Sequence, residues 1–249
     1  MTQTAQLEGI ILAAGKGTRM HATEKNKVMY EVGGKPMISF PVAALKTLGV
    51  AKPIVVVGFL KETIQDYLGD SVQYAEQKEM LGTADAVRAA VPLFQLGSQD
   101  AIVLYGDHST FYTAELLQGL IKHHRETGAA MTLITTHTNP TGYGRILRDA
   151  SGKMTGIVEE KVATEEQKAI TEINTGNAIY NIQFLKQYLP QIQLNPISHE
   201  YYFTDIVGLG VKNRENVETY VVEDELVGIG VNTPEQLAVA EQAMQAKGK

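Results

Sequence analysis

Four short runs of nearly continuous apolar, largely β-branched residues constrain this chain most. They are Gly9-Ile10-Ile11-Leu12-Ala13 and residues 53–58, 101–105 and 131–135. A strand without polar alternation must be covered on both faces, so these runs predict a largely parallel sheet with helices on either side. Helical patterns lie between them. Over residues 113–127 the positions Leu116, Leu117, Leu120 and Ile121 form one face, and Gly128 supplies a stop. Near the end, Thr233-Pro234-Glu235-Gln236 combines an N-cap, a Pro at the first helical position and a capping-box Gln, with Leu237, Ala240 and Met244 following on one side. From about 138 to about 227 the texture changes to shorter strands, turns and a charged stretch at 159–168. The expected fold is therefore α/β: a mostly parallel mixed sheet in a single unit over 1–249, with a first half to about 137, a smaller mixed lobe over about 138–227 and a C-terminal helix from about 233.

Composition removes several function classes. The chain has 249 residues and no Cys, which excludes disulfides, zinc ribbons and thiol nucleophiles. A net charge of -6 offers no overall field for nucleic acid, so any phosphate must be held by a local site. No run approaches the roughly 20 apolar residues that span a bilayer. The N-terminus has no basic segment ahead of its apolar run, so no signal peptide is expected and a cytoplasmic location is.

The sharpest local signal is Leu12-Ala13-Ala14-Gly15-Lys16-Gly17-Thr18-Arg19-Met20, directly after the first strand. Two glycines let main-chain N–H groups approach an anion, and Lys16 and Arg19 add positive charge. The pattern is neither a P-loop nor a dinucleotide fingerprint, since Gly17 follows Lys16 and Met20 stands where a third Gly or Ala belongs. Spacing alone leaves a solvated basic turn and a triphosphate cradle equally open. Asp107 follows the third apolar run, and ligands of open α/β sheets gather beyond the carboxyl ends of strands, where a carboxylate suits magnesium. The same Asp can instead cap the following helix. The six histidines, His21, His108, His123, His124, His137 and His199, show no metal-ligand spacing and are read as structural or exposed.

Residues 12–20, with Lys27-Val28 and Gly33-Gly34-Lys35-Pro36-Met37, resemble the N-terminal signature of the sugar-phosphate nucleotidyltransferases. The resemblance continues in order through Gln77 to Thr83, Leu104-Tyr105-Gly106-Asp107, Gly142 to Ile146, Gly156 to Glu159, Glu172 to Gly176, Glu200 to Asp205 and Gly230-Val231-Asn232. Within that family the set is most similar to the pyrophosphorylase domain of the bacterial N-acetylglucosamine-1-phosphate uridylyltransferases. The resemblance implies a Rossmann-like nucleotide-diphospho-sugar transferase fold with a sugar-side lobe, and a Mg2+-dependent union of UTP with N-acetylglucosamine 1-phosphate that releases pyrophosphate. The attacking phosphate oxygen is already ionised, so the chemistry needs alignment and charge neutralisation rather than a base. Carried over by position, Arg19 and Lys27 take catalytic roles at the phosphates. Leu12, Ala13, Ala14, Gly15, Lys16, Gly17, Gln77, Gly82 and Thr83 hold the nucleotide, Gln77 with nearby backbone offering a donor and acceptor pair to the base. Tyr105, Gly144, Glu159 and Asn174 face the sugar, and Asp107 and Asn232 bind the metal.

Three positions depart from the family pattern: His108-Ser109-Thr110 in place of an apolar residue and Pro, Asp85 in place of His, and Asn177 in place of an aliphatic residue near the sugar. The bacterial enzymes of this kind continue into a β-helix acetyltransferase, whereas this sequence closes at Lys249, so no acetyl transfer is expected of it. Small-molecule substrates are the expected partners; nucleic acid and membrane are not, and the oligomeric state is open. Two further readings are kept: the same reaction with another sugar 1-phosphate, such as glucose 1-phosphate, or another nucleotide, and a catalytically silent protein that binds a nucleotide sugar.

Overall fold

The structure, a computed structural model, describes residues 7–20 and 22–247. In chain order its strands are β1 (Leu7–Ala13), β2 (Glu31–Val32), β3 (Lys35–Pro36), β4 (Ile54–Val57), β5 (Gln73–Glu76), β6 (Asp100–Tyr105), β7 (Met131–His137), β8 (Arg145–Arg148), β9 (Met154–Val158), β10 (Glu172–Asn181) and β11 (Val217–Val222). The helices are α1 (Ser39–Thr47), α2 (Lys61–Leu68), α3 (Thr83–Ala90), α4 (Ala114–Thr127), α5 (Glu165–Lys168), α6 (Ile182–Tyr188), α7 (Asp205–Lys212) and α8 (Pro234–Lys247).

The main sheet has the order β11-β7-β10-β6-β1-β4-β5, with β8 pairing to β10 and β9 forming an arm off β8. Every pair is parallel except those made by β10 and by the β8–β9 hairpin. β1 lies mid-sheet with Ile10 and Ile11 wholly buried on opposite faces, each removal from water worth roughly 1.5–3 kcal/mol. Ile10 and Leu12 pack with α3, α6 and α7, while Ile11 and Ala13 pack with α1, α2 and α4. This is the two-sided cover that the apolar runs demanded.

The antiparallel course of β10 matters for the site. Because it runs against β6, pairing Ala178 with Val103, its first residues lie beside the carboxyl end of β6, the edge where β1 and β4 also finish. The register shifts between Asn174 and Ala178, a bulge in which Gly176 takes a φ of 82°.

Caps set the helix ends. Thr113 accepts from Leu116 N–H at the start of α4, and Gly128 closes it in the left-handed region. Thr233 accepts from Gln236 N–H at the start of α8, but Gln236 Oε1 reaches past the cap to Asn232 N–H at 2.8 Å, so its reciprocal bond holds the residue before it. The Gly33-Gly34 turn of the β2–β3 hairpin docks on α8, where Gly33 N–H donates to Glu241 at 2.7 Å. No helix among the described residues is long and apolar enough to cross a membrane.

Candidate active site

A cleft of about 510 Å³ opens at the carboxyl ends of β1 and β6. The loop after β1 forms one wall, and its glycines differ. At Gly17, with φ of 60°, an added Cβ would stand 2.9 Å from Lys27 Cβ, so a side chain there would displace that lysine. At Gly15 an added Cβ would meet nothing within 4 Å, which leaves open space above exposed main chain. Lys16 and Arg19 stand exposed beside it.

Asn26 pins this loop. It is buried, and its Nδ2 donates to Ala13 O at 3.1 Å, Gly15 O at 3.4 Å and Phe59 O at 2.7 Å, while Oδ1 accepts from Val28 N–H at 3.1 Å. One amide thereby ties the backbone of the glycine-rich loop to the segment that carries Lys27. An Asn among Glu24, Lys25 and Lys27 reads as surface loop, so nothing local in the sequence signals this role.

Lys27, Asp107, Asn232 and Arg19 meet beside this loop. The Lys27 ammonium donates to Asp107 Oδ2 and, at 2.9 Å, to Asn232 Oδ1, and Arg19 Nη2 donates to the same Asn232 oxygen at 2.9 Å. Two oxygens 125 positions apart in sequence thus already share one cationic group. Burial pushes the Asp107 carboxyl up, but the charge and hydrogen bond of Lys27 outweigh it and hold the group below the usual carboxylate range. A carboxylate and an amide oxygen are hard donors that suit Mg2+. Two such donors could hold part of an ion's shell and would leave its remaining positions to other oxygens. The described residues contain no cluster of three or more His, Cys, Asp or Glu that would form a complete metal cage.

The turn that presents Asp107 is fastened by two of the departures noted above. Asn177, with no exposed surface, accepts from Tyr105 N–H at 2.7 Å and donates to His108 O at 3.1 Å, bridging both ends of the turn. Its amide faces this turn, so Asn177 is a brace for the Asp107 loop and makes no surface for a sugar. His108 Nε2 lies 3.0 Å from Gly228 O, and its ring covers Gly230, where an added Cβ would come within 3.2 Å. Val231 N–H donates to Asp107 O at 2.9 Å. The loops of Asp107 and Asn232 are therefore joined through backbone and imidazole. Burial lowers the pKa of His108. Of the other histidines, His124 is buried against Thr132 and Asp100, His123 stacks near Tyr220, and His137 pairs with Thr171; His21 lies outside the described residues.

Leu12, Ala13, Ala14, Gln77, Gly82 and Thr83, the positions expected to receive a base, all line the cleft. Gly82 has φ of 98°, and an added Cβ would stand 2.6 Å from Tyr201 O. Thr83 Oγ1 accepts from Phe203 N–H at 2.9 Å, fastening the start of α3 to the 201–203 segment. Gln77 is buried, and its Nε2 donates to Gly82 O and to Asp85 Oδ2, both at 2.9 Å. The donor half of the amide is used within the protein, so Gln77 itself offers the cleft an acceptor, and the donor of the expected pair falls to nearby main chain.

Gly144, Glu159 and Asn174 gather away from the phosphate loop, on the β8–β9 arm and the start of β10. Asn174 N–H donates to Gly144 O at 2.8 Å, and an added Cβ on Gly144 would lie 3.2 Å from Glu159 Oε1. Asn174 Oδ1 accepts from Gly176 N–H at 3.0 Å, which leaves its NH2 as the group it presents. Glu160, by contrast, is committed to Gly142 N–H and to Arg145 at 2.9 Å. Glu159 reaches solvent, yet surrounding protein raises its carboxyl above the usual range, with Arg145 opposing and Asp205 adding to the rise. Tyr105 links the two regions: burial lifts its phenol to about 12, Thr83 opposes, and the charges of Asp107 and Glu159 both act on it.

The sequence as a whole matches the nucleotidyl transferase family model over residues 8–229. The chain belongs to the nucleotidyl transferase family. Among curated members it is similar to the bifunctional protein GlmU of Exiguobacterium sibiricum, 41% identical over 239 residues, which cover 96% of this chain and 53% of that protein. Similarity to the bifunctional protein GlmU of Carboxydothermus hydrogenoformans is 44% over 233 residues, covering 93% of this chain and 51% of the relative. The chain thus spans about half the length of the curated relatives it matches. A crystal structure from Bacillus anthracis described as a "Putative Glucose-1-Phosphate Thymidylyltransferase", in complex with a sucrose, superposes with a TM-score of 0.75 at 20% identity, covering 96% of this chain and 95% of that one. That likeness shows the shared nucleotidyl transferase fold, a mostly parallel mixed sheet with flanking helices.

Proposed function

We propose that this nucleotidyl transferase joins UTP to N-acetylglucosamine 1-phosphate, giving UDP-N-acetylglucosamine and pyrophosphate with Mg2+ as cofactor. The observation that carries the reading is the meeting of the Asp107 and Asn232 oxygens on the Lys27 ammonium beside a glycine-lined loop. The GlmU relatives support the choice of nucleotide and sugar. In the reaction an oxygen of the sugar phosphate bonds to the α-phosphorus of UTP. The bond from that phosphorus to the oxygen bridging the β-phosphate breaks, and the electron pair leaves on pyrophosphate.

Each residue then has a task set by its position. The main chain of Gly15, Lys16 and Gly17, with the Arg19 guanidinium, holds the triphosphate. Lys27 neutralises charge growing on the α-phosphate as the new bond forms, a contribution of the oxyanion type. Mg2+, held by Asp107 and Asn232 with water and phosphate oxygens, would supply further charge neutralisation at the same phosphates. Gln77, Gly82 and Thr83, with the main chain of Leu12, Ala13 and Ala14, receive the base. On the other side of Tyr105, Glu159 accepts from sugar hydroxyls, Asn174 donates to the acetamido carbonyl, and Gly144 leaves room for the Glu159 carboxylate to stand there. This division gives the part up to about residue 137 to the nucleotide and the part from about 138 to 227 to the sugar.

The test is pyrophosphate release from UTP with N-acetylglucosamine 1-phosphate or glucose 1-phosphate, with and without Mg2+. The proposal expects metal-dependent release that is faster with the acetamido sugar. Release at background with both sugars refutes transfer, and a preference for glucose 1-phosphate refutes the assignment of Asn174.

A further inference from the structure

The base side of the cleft carries a carboxylate that phosphoryl chemistry leaves without work. Asp85 lies in the first turn of α3, and its Oδ2 and the Gly82 carbonyl both accept from Gln77 Nε2 at 2.9 Å. A carbonyl has no proton to give and a carboxylate accepts, so these partners determine which way the amide points. The reversed amide would set Oε1 of the buried Gln77 against two acceptor oxygens and forfeit both bonds. Oε1 is therefore held toward the cleft. Beside it, the Gly82 N–H makes no hydrogen bond among the described residues. The pocket presents one fixed acceptor and one main-chain donor.

Resting on the nucleotidyl-transfer reading of this cleft, we propose that Asp85 sets base preference by locking the Gln77 amide. The locked pocket takes a pyrimidine whose ring nitrogen N3 carries hydrogen next to a carbonyl, the edge shared by uracil and thymine. Cytosine offers the opposite pattern, a bare N3 beside an amine, and so brings acceptor against acceptor and donor against donor. Asp85 touches no substrate and acts through Gln77, as a positioning residue. Without it only the Gly82 carbonyl restrains the amide, which can then turn to meet either edge.

Steady-state kinetics and calorimetric binding with UTP and CTP test this on the wild type, Asp85→Ala, Asp85→Asn, Gln77→Ala and the Gln77→Ala/Asp85→Ala double variant. The wild type should favour UTP by on the order of a hundredfold, because the wrong base leaves polar groups unpaired. In Asp85→Ala that ratio should fall about tenfold, the equivalent of one charge-assisted hydrogen bond. The change should appear as a higher KM for UTP at unchanged kcat and unchanged KM for the sugar phosphate. Asp85→Asn, which keeps an acceptor oxygen, should recover most of the ratio, and the double variant should match Gln77→Ala alone. Equal losses with UTP and CTP, or effects that add in the double variant, mean that Asp85 merely starts a helix, and the proposal falls. If no nucleotide yields pyrophosphate, the transfer reading fails instead, and the calorimetric UTP to CTP ratios still decide the role of Asp85.

Discussion

Replacing Asn177 with Val isolates the brace behind the proposed metal site. The side chain has no exposed surface, and its amide satisfies Tyr105 N–H at 2.7 Å and His108 O at 3.1 Å. Valine suits the strand but makes neither bond, so two part-buried main-chain groups lose their partners at about 1–3 kcal/mol each. A total of roughly 2–6 kcal/mol, at about 2–4 °C per kcal/mol for a chain of this size, lowers the melting temperature by about 4–24 °C. The lost bonds also free both ends of the turn that carries Asp107, so the concentration of Mg2+ needed for half-maximal rate should rise while KM for the sugar phosphate holds. Differential scanning calorimetry and a magnesium titration of pyrophosphate release read the two effects separately. A melting temperature within about 1 °C of wild type would refute the bracing argument, because no unsatisfied buried pair is that cheap.

Two glycine substitutions should separate fold from ligand space. Gly82→Ala forces a Cβ to 2.6 Å from Tyr201 O at a φ of 98°, and calorimetry should show a loss of roughly 1–3 kcal/mol or more; Gly15→Ala meets nothing within 4 Å, so its melting temperature should stay put while KM for UTP rises. Lys27→Ala should cut kcat by roughly 10²–10³ while UTP affinity by calorimetry changes far less, and equal losses in both would reduce Lys27 to a simple binding residue. Glu159 has a carboxyl raised by burial, so on lowering the pH it takes up a proton before ordinary carboxylates do. KM for the sugar phosphate should therefore climb with acidity while KM for UTP is still flat, and Glu159→Gln should remove that climb. Asp107 shows the opposite sign: its carboxyl is depressed, so the stability from its pair with Lys27 is present above the ordinary carboxylate range and is lost only as pH falls through the lowered value. Acid titration of the melting temperature should accordingly be flatter in Asp107→Asn below about pH 4.

The elements most readable from the sequence were those whose reasons are local. Continuous apolar runs became β1, β4, β6 and β7, and Thr113 and Thr233 start α4 and α8. The order of strands was not local. β10 enters the middle of the sheet, antiparallel, carrying buried Asn174, Thr175 and Asn177; Thr175 and Asn177 find partners in other segments, so the polar residues disguise a central strand. The edge strand β5, four residues with a polar sequence, has no periodicity to reveal it. Family resemblance supplied candidate site positions but not the residues that hold them. Asn26, Asp85, His108 and Asn177 act through hydrogen bonds to groups 8 to 120 positions away, and that information exists only after folding.

In the proposed reaction Asp107 and Asn232 act together on one divalent cation delivered with the nucleotide. Mn2+ can report it directly, by electron paramagnetic resonance titration of the protein with and without UTP. The wild type should bind the ion tightly only when UTP is present, and Asp107→Ala and Asn232→Ala should each weaken that ternary binding roughly tenfold or more. Ternary binding identical to wild type in both variants would contradict the claim, since the nucleotide alone would then be holding the metal.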